Sequence, residues 1–549
     1  MAEPRTVAIV PHTHWDREWY APFQTFRLRL VELLDGFLPA LEADLSYARF
    51  LLDGQMAVVD DYLEVRPEAE ARLGRLAASG RLAMGPWYTL PDEFLVSGET
   101  HIRNLQLGLE RAAAFGGAMQ VGYLPDMFGH IAQMPQILRQ FGFEHAVVWR
   151  GVPAAVDRTA FTWAAPDGSA VRAQYLARGG YGNGAAVPDD AKALVRRLAS
   201  HEAELGGMLA GGILFMNGTD HQLPQPWLGR VVAEANAIQD DYRFVVTSLE
   251  EYLTGPAAAT AGLPAWTGEM RSGARANLLM GVTSNRGDVK QQAARTERAL
   301  EQLAEPLCAL FLPADRWPAA LLALAWREVV RNAAHDSICA CSHDEVAAAV
   351  SHRYAEARQI AEGLAAVALR HLAGTTAGAG TLVVNPSART RSGTVEVVVA
   401  DERPVAGAQV LGAEPGGPGP SRRVRSSDVA AVLGQIRGQR FEDGLFVHAL
   451  ELTDDGAGDG GEVEIRLGTR PLDDPTVDEA RRDLYARLGR GAHEWFRLRV
   501  HRPPVQRLLV RVDDVAGHGW RLWRQEASGR APTGPVTVEG ATMANGLAT

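Results

Sequence analysis

Cysteine is nearly absent from this chain of 549 residues: Cys308, Cys339 and Cys341 are the only three. That is too few for a disulfide framework. Lysine is scarcer still, at Lys192 and Lys290 alone, a bias toward arginine that says little about function. No apolar run approaches the ~20 residues a membrane helix needs. The opening MAEPRTVAIVPHTHWD has no basic stretch followed by a long apolar core, so no secretory signal is visible. Positive charge is not in excess: Lys plus Arg number 55 against 66 for Asp plus Glu, a net charge of −11. Such a chain has no general attraction for phosphate backbones or anionic lipid, so nucleic-acid and membrane partners are not expected. What is present is an ordinary globular balance, 46% apolar and 22% charged. This balance excludes whole-chain disorder, collagen and coiled coil. The length suits about three or four domains. The expectation is a soluble cytoplasmic protein with a large buried core.

The first 250 or so residues alternate short apolar runs with helical patterns, the signature of βαβ units and a largely parallel sheet. Thr6 to Val10 reads as a buried strand, and Glu144 to Trp149, Ile213 to Met216 and Phe244 to Thr247 read likewise. Helix-like stretches include Phe26 to Leu38 and Asp189 to Gly206. Polar clusters follow directly after several strands, and that end of a parallel sheet is where ligands bind. Three helices are then predicted: Asp288 to Leu310, one opening at Trp317-Pro318, and one from a capping box of Ser342 and Glu345 to about Leu372. Gly374 to Gly380 reads as a flexible linker. Beyond it, alternating strands at Thr394–Val399, Leu445–Leu452, Phe496–Val500 and Leu508–Val512, with loops at Gly412–Pro420 and Asp454–Gly461, suggest an all-β region.

Four clusters carry chemistry. In Pro11-His-Thr-His-Trp-Asp-Arg-Glu-Trp19, a continuing strand would place His12, His14 and Asp16 on one face. Two imidazoles and a carboxylate at a strand end make a metal half-site for zinc or a similar ion. In Gly122-Tyr-Leu-Pro-Asp126-Met-Phe-Gly-His130, a sharp loop presents one carboxylate; alone it would be an ordinary turn Asp. Met216-Asn-Gly-Thr-Asp220-His-Gln again follows a strand and exposes Asp220 and His221. Arg331 to Cys341 sets His335 and Asp336 in an elbow between helices, where a histidine also suits a helix C-terminus. Cys339 and Cys341 make a poor metal pair, with a single intervening residue and no second thiolate pair. Together the clusters offer a metal site plus two carboxylates, which suits hydrolysis of a hydroxyl-rich substrate. Trp15, Trp19, Trp87 and Tyr88 are candidates for sugar-stacking platforms, although such residues are more often core.

HTHWDREW, GYLPDMFGH, NGTDHQ and AAHDSICACSHDEV, in this order and spacing, closely resemble the α-mannosidases of glycoside hydrolase family 38. Val147 to Gly151 and Pro91 to Glu99 look like family segments too. The resemblance covers roughly residues 5 to 400. It implies a multidomain α/β, α and β fold: a seven-stranded barrel-like (β/α) catalytic domain over 1–260, a three-helix bundle over 261–373 carrying the last metal ligand, and a β-sandwich region over 374–549. It also implies one Zn²⁺ ion held by His14, Asp16, Asp126 and His335, with Co²⁺ or Mn²⁺ tolerated by the same N/O donors. Asp126 would double as the nucleophile and Asp220 as the acid/base of a retaining α-mannosidase. Trp19, Arg150 and Asp336 would line the sugar subsite, while His12 is a motif residue but not a ligand. For Asp220 to start protonated, burial or a nearby negative charge must raise its pKa. Asp126, held against the cation, is expected to stay ionised.

Two departures stand out. Relatives often carry two adjacent acids where this chain has Thr219-Asp220. They also continue for several hundred residues beyond the segment resembling Met543-Ala-Asn-Gly546, so the β region is expected to be incomplete at Thr549. The competing readings are a metal-dependent carbohydrate deacetylase and a non-catalytic carbohydrate-binding protein. A retaining glycosidase needs its two carboxylates about 5–5.5 Å apart, whereas a deacetylase has no use for that spacing. The expected partner is a mannose-containing small molecule or oligosaccharide, with homo-oligomerisation left open. Linkage and aglycone are not legible.

Overall fold

The computed structural model describes residues 3–376, 380–436, 440–442, 445–453, 461–469, 476–489, 494–525 and 537–545. They fall into two compact units, Met1–His371 and Leu372–Thr549.

The first unit is organised around its opening strand. In chain order its strands are β1 (Arg5–Pro11), β2 (Phe50–Leu51), β3 (Leu82–Ala83), β4 (Gly122–Leu124), β5 (His145–Val148), β6 (Ala160–Ala164), β7 (Ala170–Tyr175), β8 (Ile213–Asn217), β9 (Tyr242–Val246) and β10 (Ala265–Thr267). β1 lies between β8 and β9, parallel to both, with Val7 opposite Ile213 on one side and Phe244 on the other. Apolar cores cover both of its faces: Val7 and Ile9 enter one, Ala8 and Val10 the other. A strand buried on both faces has no polar alternation, which is why TVAIV reads as a continuous apolar run. A second sheet has the order β10-β6-β7-β5-β4. It is parallel except for the β6–β7 hairpin, and β2 pairs separately with β3. The sheets are flanked by helices such as Phe23–Ala43, which buries Phe26, Leu30, Leu34 and Phe37 on one face. Another is Ala191–Leu205, whose N-cap Asp190 accepts the Ala193 amide at 2.6 Å.

The expected helices in the second half of this unit are present, with local differences. The first runs from Gly287 through a π-helical stretch, Ala299–Ala304, to Phe311. The second is Ala319–Asn332, with Pro318 at its N-cap. The third is Asp344–Thr375. The Ser342/Glu345 capping box is not made: the Ser342 hydroxyl donates instead to the carbonyl of Asp336 at 2.6 Å, and Glu345 pairs with His343. Among the described residues, no helix is long and apolar enough to cross a membrane.

The second unit is mostly β. Arg391–Val399, Val505–Val515 and Gln409–Glu414 form one antiparallel sheet with Val505–Val515 in the centre, and Leu445–Thr453, Glu462–Gly468 and Trp495–Arg502 anchor another. The all-β expectation missed two helices, Ser426–Gln435 and Thr476–Gly489. The physical reason is the parallel pairing of Glu462–Gly468 with Trp495–Arg502. Parallel neighbours need a crossover, and Thr476–Gly489 supplies it, packing Val477 and Leu484 into the core of that sheet with Val429 and Leu433 of the other helix. The expected linker is also shorter than read, because the preceding helix continues through Gly374 to Thr375. Residues 377–379, most of the Asp454–Gly461 loop, and Gly546 lie outside the described residues.

Candidate active site

The site is built where β1 ends. Strand pairing does not stop at Pro11 but continues as single bridges, His12 opposite Leu51 and His14 opposite Asp220. Backbone hydrogen bonds secure it: His12 N–H donates to Asn217 O at 3.0 Å, His14 N–H to Thr219 O at 3.2 Å, and His221 N–H to His14 O at 2.8 Å. Gly218 permits this approach, since a Cβ there would collide with the carbonyl of His12. The first and third sequence clusters are thus laid side by side.

Asp126 arrives from the loop after β4. His335 arrives on a short helix, His335–Cys339, which is stitched to the 89–92 segment. His335 N–H donates to Leu90 O at 3.0 Å, Asp92 N–H to Ala333 O at 2.9 Å, and the Thr89 hydroxyl to Val330 O at 2.7 Å. The four expected ligands converge. His14 Nε2 lies 3.2 Å from Asp16 Oδ1 and 3.9 Å from Asp126 Oδ2. His335 Nε2 lies 3.3 Å from the same Asp16 oxygen and 3.6 Å from the same Asp126 oxygen. Three of these atoms, His14 Nε2, Asp16 Oδ1 and His335 Nε2, are buried without a hydrogen-bond partner. Unsatisfied buried polar atoms are costly. Two imidazole nitrogens and two carboxylate oxygens aimed at one point form an N/O donor set that suits a divalent cation such as zinc. The site residues fit the metal.

Electrostatics points the same way. Burial disfavours charge on His14, but Asp53 and Asp16 outweigh it and hold the imidazole well above its ordinary value. For His335, burial is likewise overcome, chiefly by Asp336 and Asp126. Burial pulls Asp16 and Asp126 upward, yet His14 holds the Asp16 carboxyl well below its usual range, and His335 and Arg150 lower that of Asp126. The cluster therefore attracts positive charge. Asp336, whose Oδ2 is 3.8 Å from His335 Nε2, pays for that field: burial and neighbouring Asp16 push its carboxyl up to about 8.

The remaining expected residues surround this centre. Arg150 donates from Nε to Asp126 Oδ1 at 2.7 Å and from Nη1 to Asn277 O at 2.7 Å, and its guanidinium lies 4.0 Å from the ring centre of Trp149. Asp220 is partly exposed and accepts the Tyr181 hydroxyl at 2.7 Å. Trp19 is half-buried, its carbonyl accepting the His343 amide at 2.9 Å. Trp15, Trp87 and Tyr88 are buried at 3%, 0% and 1% exposure, so their large apolar surface serves the core and they form no sugar platform. His12 stands apart from the donors, with Nε2 2.9 Å from the carbonyl of Tyr181. The thiols hydrogen-bond to carboxylates, Cys339 to Asp92 at 3.4 Å and Cys341 to Asp336 at 3.2 Å.

Sequence reading missed several supporting residues. Asp53 is fully buried: its Oδ1 meets His14 Nδ1 at 3.1 Å, while its Oδ2 accepts the Trp15 amide at 2.7 Å and Gln55 Nε2 at 2.8 Å. Such a carboxylate behind a ligating histidine fixes the ring and leaves its other nitrogen free. Glu18 is buried against Arg353 and accepts the Ser337 hydroxyl at 2.7 Å, tying the first motif to the His335 helix. Glu93 pairs with His130 Nδ1 at 2.6 Å and joins the 91–99 segment to the Asp126 loop. The signals were an acid directly after a short apolar run, in Leu51-Leu-Asp53, and acids inside segments already singled out.

Glycosyl hydrolases family 38 N-terminal domain matches residues 4–269, and alpha mannosidase middle domain matches residues 277–372. The chain belongs to glycosyl hydrolase family 38. Among family 38 relatives, a protein named putative mannosylglycerate hydrolase from Halalkalibacterium halodurans is 35% identical over 362 residues, covering 62% of this chain and 40% of the relative. Human alpha-mannosidase 2C1 is 26% identical over 397 residues, covering 69% of this chain and 36% of the relative. The chain thus spans two fifths or less of the length of these curated relatives. The solved structure of an alpha-mannosidase from Enterococcus faecalis V583 superposes with a TM-score of 0.74 at 26% identity, covering 98% of this chain and 58% of that one. The family 38 fold accordingly extends through the mostly β second unit.

Proposed function

We propose that this chain carries the catalytic centre of a retaining, exo-acting α-mannosidase that requires one divalent metal ion, zinc. The observation that carries the reading is the convergence of His14 Nε2, Asp16 Oδ1, Asp126 Oδ2 and His335 Nε2, three of them buried and unpartnered. When bound there, zinc supplies positive charge that orients and polarises sugar hydroxyls. The protein's own groups do the rest. Asp126, kept ionised, attacks the anomeric carbon while Asp220 gives its proton to the departing glycosidic oxygen. The bond to Asp126 forms as the bond to the aglycone breaks. Water then attacks the same carbon, Asp220 takes its proton, and the sugar leaves Asp126 with its configuration retained. Tyr181 occupies one Asp220 oxygen, which leaves the other for the leaving group. Arg150 steadies the nucleophile through its second oxygen, and Trp19 and Asp336 border the sugar.

In this reading residues 1–260 form the barrel-like catalytic domain and 261–373 the helical bundle that contributes His335. The substrate is a mannoside, and the cytoplasm is its place of action.

The test is hydrolysis of p-nitrophenyl α-mannoside by purified protein, with chelator and with zinc restored. Nitrophenol release that stops on chelation and returns with zinc is the expected result. Zinc-loaded protein that releases no nitrophenol, but frees acetate from acetylated sugars, would replace the proposal with the deacetylase reading.

A further inference from the structure

His221 follows Asp220 directly. Its backbone is held at φ +51°, in the left-handed region that a residue with a large side chain seldom occupies. Such an outlier persists only where the surroundings over-determine it. Here they do. The His221 amide donates to the carbonyl of His14 at 2.8 Å. Its imidazole Nε2 accepts the amide of Asp16 at 3.2 Å and stands 3.6 Å from Asp16 Oδ2. One residue therefore grips both ends of the His14–Asp16 segment, from which two of the four converging donors project.

The grip is itself braced. Because Nε2 accepts a hydrogen bond it carries no proton, so the neutral ring has its proton on Nδ1. Nδ1 lies 3.1 Å from the Tyr20 hydroxyl and donates to it, and Arg29 Nη1 donates to the same oxygen at 3.1 Å. Trp15 meets the imidazole edge-on at 4.9 Å between ring centres, and Phe26 lies at 4.5 Å on a tilt. Only 9% of the His221 side chain is exposed.

We propose that His221, braced by Tyr20, is a positioning residue for the metal centre: it holds the Asp16 amide so that His14 and Asp16 present their donors together. The inference rests on the metal-site reading above. The experiment measures zinc affinity of the purified chain by competition with a chromophoric chelator, for the parent and for His221→Leu, His221→Gln and Tyr20→Phe. Unfolding is followed in parallel. Gln can place Oε1 near the Nε2 position and accept the Asp16 amide, whereas Leu cannot. His221→Leu should bind zinc about 10–100-fold more weakly, the usual scale for groups that orient metal ligands. His221→Gln should recover most of that loss. Tyr20→Phe, which removes only the brace, should lose less than His221→Leu and decides the matter if the latter does not fold. Parent-like affinity in both His221→Leu and Tyr20→Phe would overturn the proposal, as would equal losses in Leu and Gln. A parent chain that binds no stoichiometric zinc would instead overturn the metal-site reading itself.

Discussion

Replacing Asp53 by Asn should switch off one metal donor without touching it. Asp53 uses its oxygens unequally: Oδ2 serves two donors, the Trp15 amide at 2.7 Å and Gln55 Nε2 at 2.8 Å, while Oδ1 serves only His14 Nδ1 at 3.1 Å. An Asn has one oxygen to place. Turning its NH₂ toward Trp15 and Gln55 would set donor against two donors, so the oxygen stays there and the NH₂ faces His14. Nδ1 must then accept, the imidazole proton moves to Nε2, and the lone pair aimed at Asp16 and Asp126 is lost. The loss expected for such an outer partner is about 10–100-fold in zinc affinity, equivalent to about 1.4–2.7 kcal/mol. Folding should change little, because all three contacts keep a partner. Asp53→Ala separates the two effects, since it strands the buried Trp15 amide at about 1–3 kcal/mol, while Gln55 Nε2 keeps its bond to the Trp15 carbonyl at 2.9 Å. Chelator competition and denaturant unfolding, run on both variants, read affinity and stability independently. Unchanged zinc affinity in Asp53→Asn would refute the argument.

Asp220→Asn should lose on the order of 10²–10⁴ in rate on mannosides with poor leaving groups, and much less on activated aryl mannosides; equal losses on both would remove it as proton donor. Asp336 is raised to about 8 by burial and Asp16, so the folded state binds its proton more tightly than the unfolded chain. Its stabilising share is complete below the ordinary carboxyl range and is lost as pH rises through about 8. Chelator-treated parent should therefore lose stability relative to Asp336→Asn between pH 5 and pH 8, and parallel unfolding profiles would contradict this. Gly218→Ala drives a methyl into the carbonyl of His12, a backbone atom that cannot yield. It should cost about 1–3 kcal/mol or more, read as a lower denaturant midpoint.

How much of this was legible beforehand follows from where the information sits. Local sequence offered His12, His14 and Asp16 as a metal half-site at a strand end, but left Asp126 as a turn acid and His335 as a helix-end histidine; only the family resemblance joined His14, Asp16, Asp126 and His335 into one set and set His12 aside. Asp53 and Tyr181 were not readable, since each acts on a motif residue about 40 positions away through one hydrogen bond. Local pattern carries no trace of such pairing. Trp15, Trp87 and Tyr88 show the converse: an aromatic beside a motif reads the same whether it faces sugar or core, and only tertiary packing decides. The second-unit helices were hidden for a related reason, because a parallel pair of strands announces its crossover only once the pairing is known.

The donors of the centre stand at positions 14, 16, 126 and 335 of the first unit, and the last is carried by a short helix stitched to residues 89–92. On the proposed metal reading, the growing chain displays half of the cation site long before it owns the whole. A nascent polypeptide ending between Asp16 and His335 would offer two or three of the four donors and is expected to hold metal weakly. If the proposed centre binds metal, tight capture is expected only after the helical segment carrying His335 has been made and has docked. A single protease cut between Thr254 and Gly287 would divide the donor set, so retention of metal reports directly on whether the two pieces stay together.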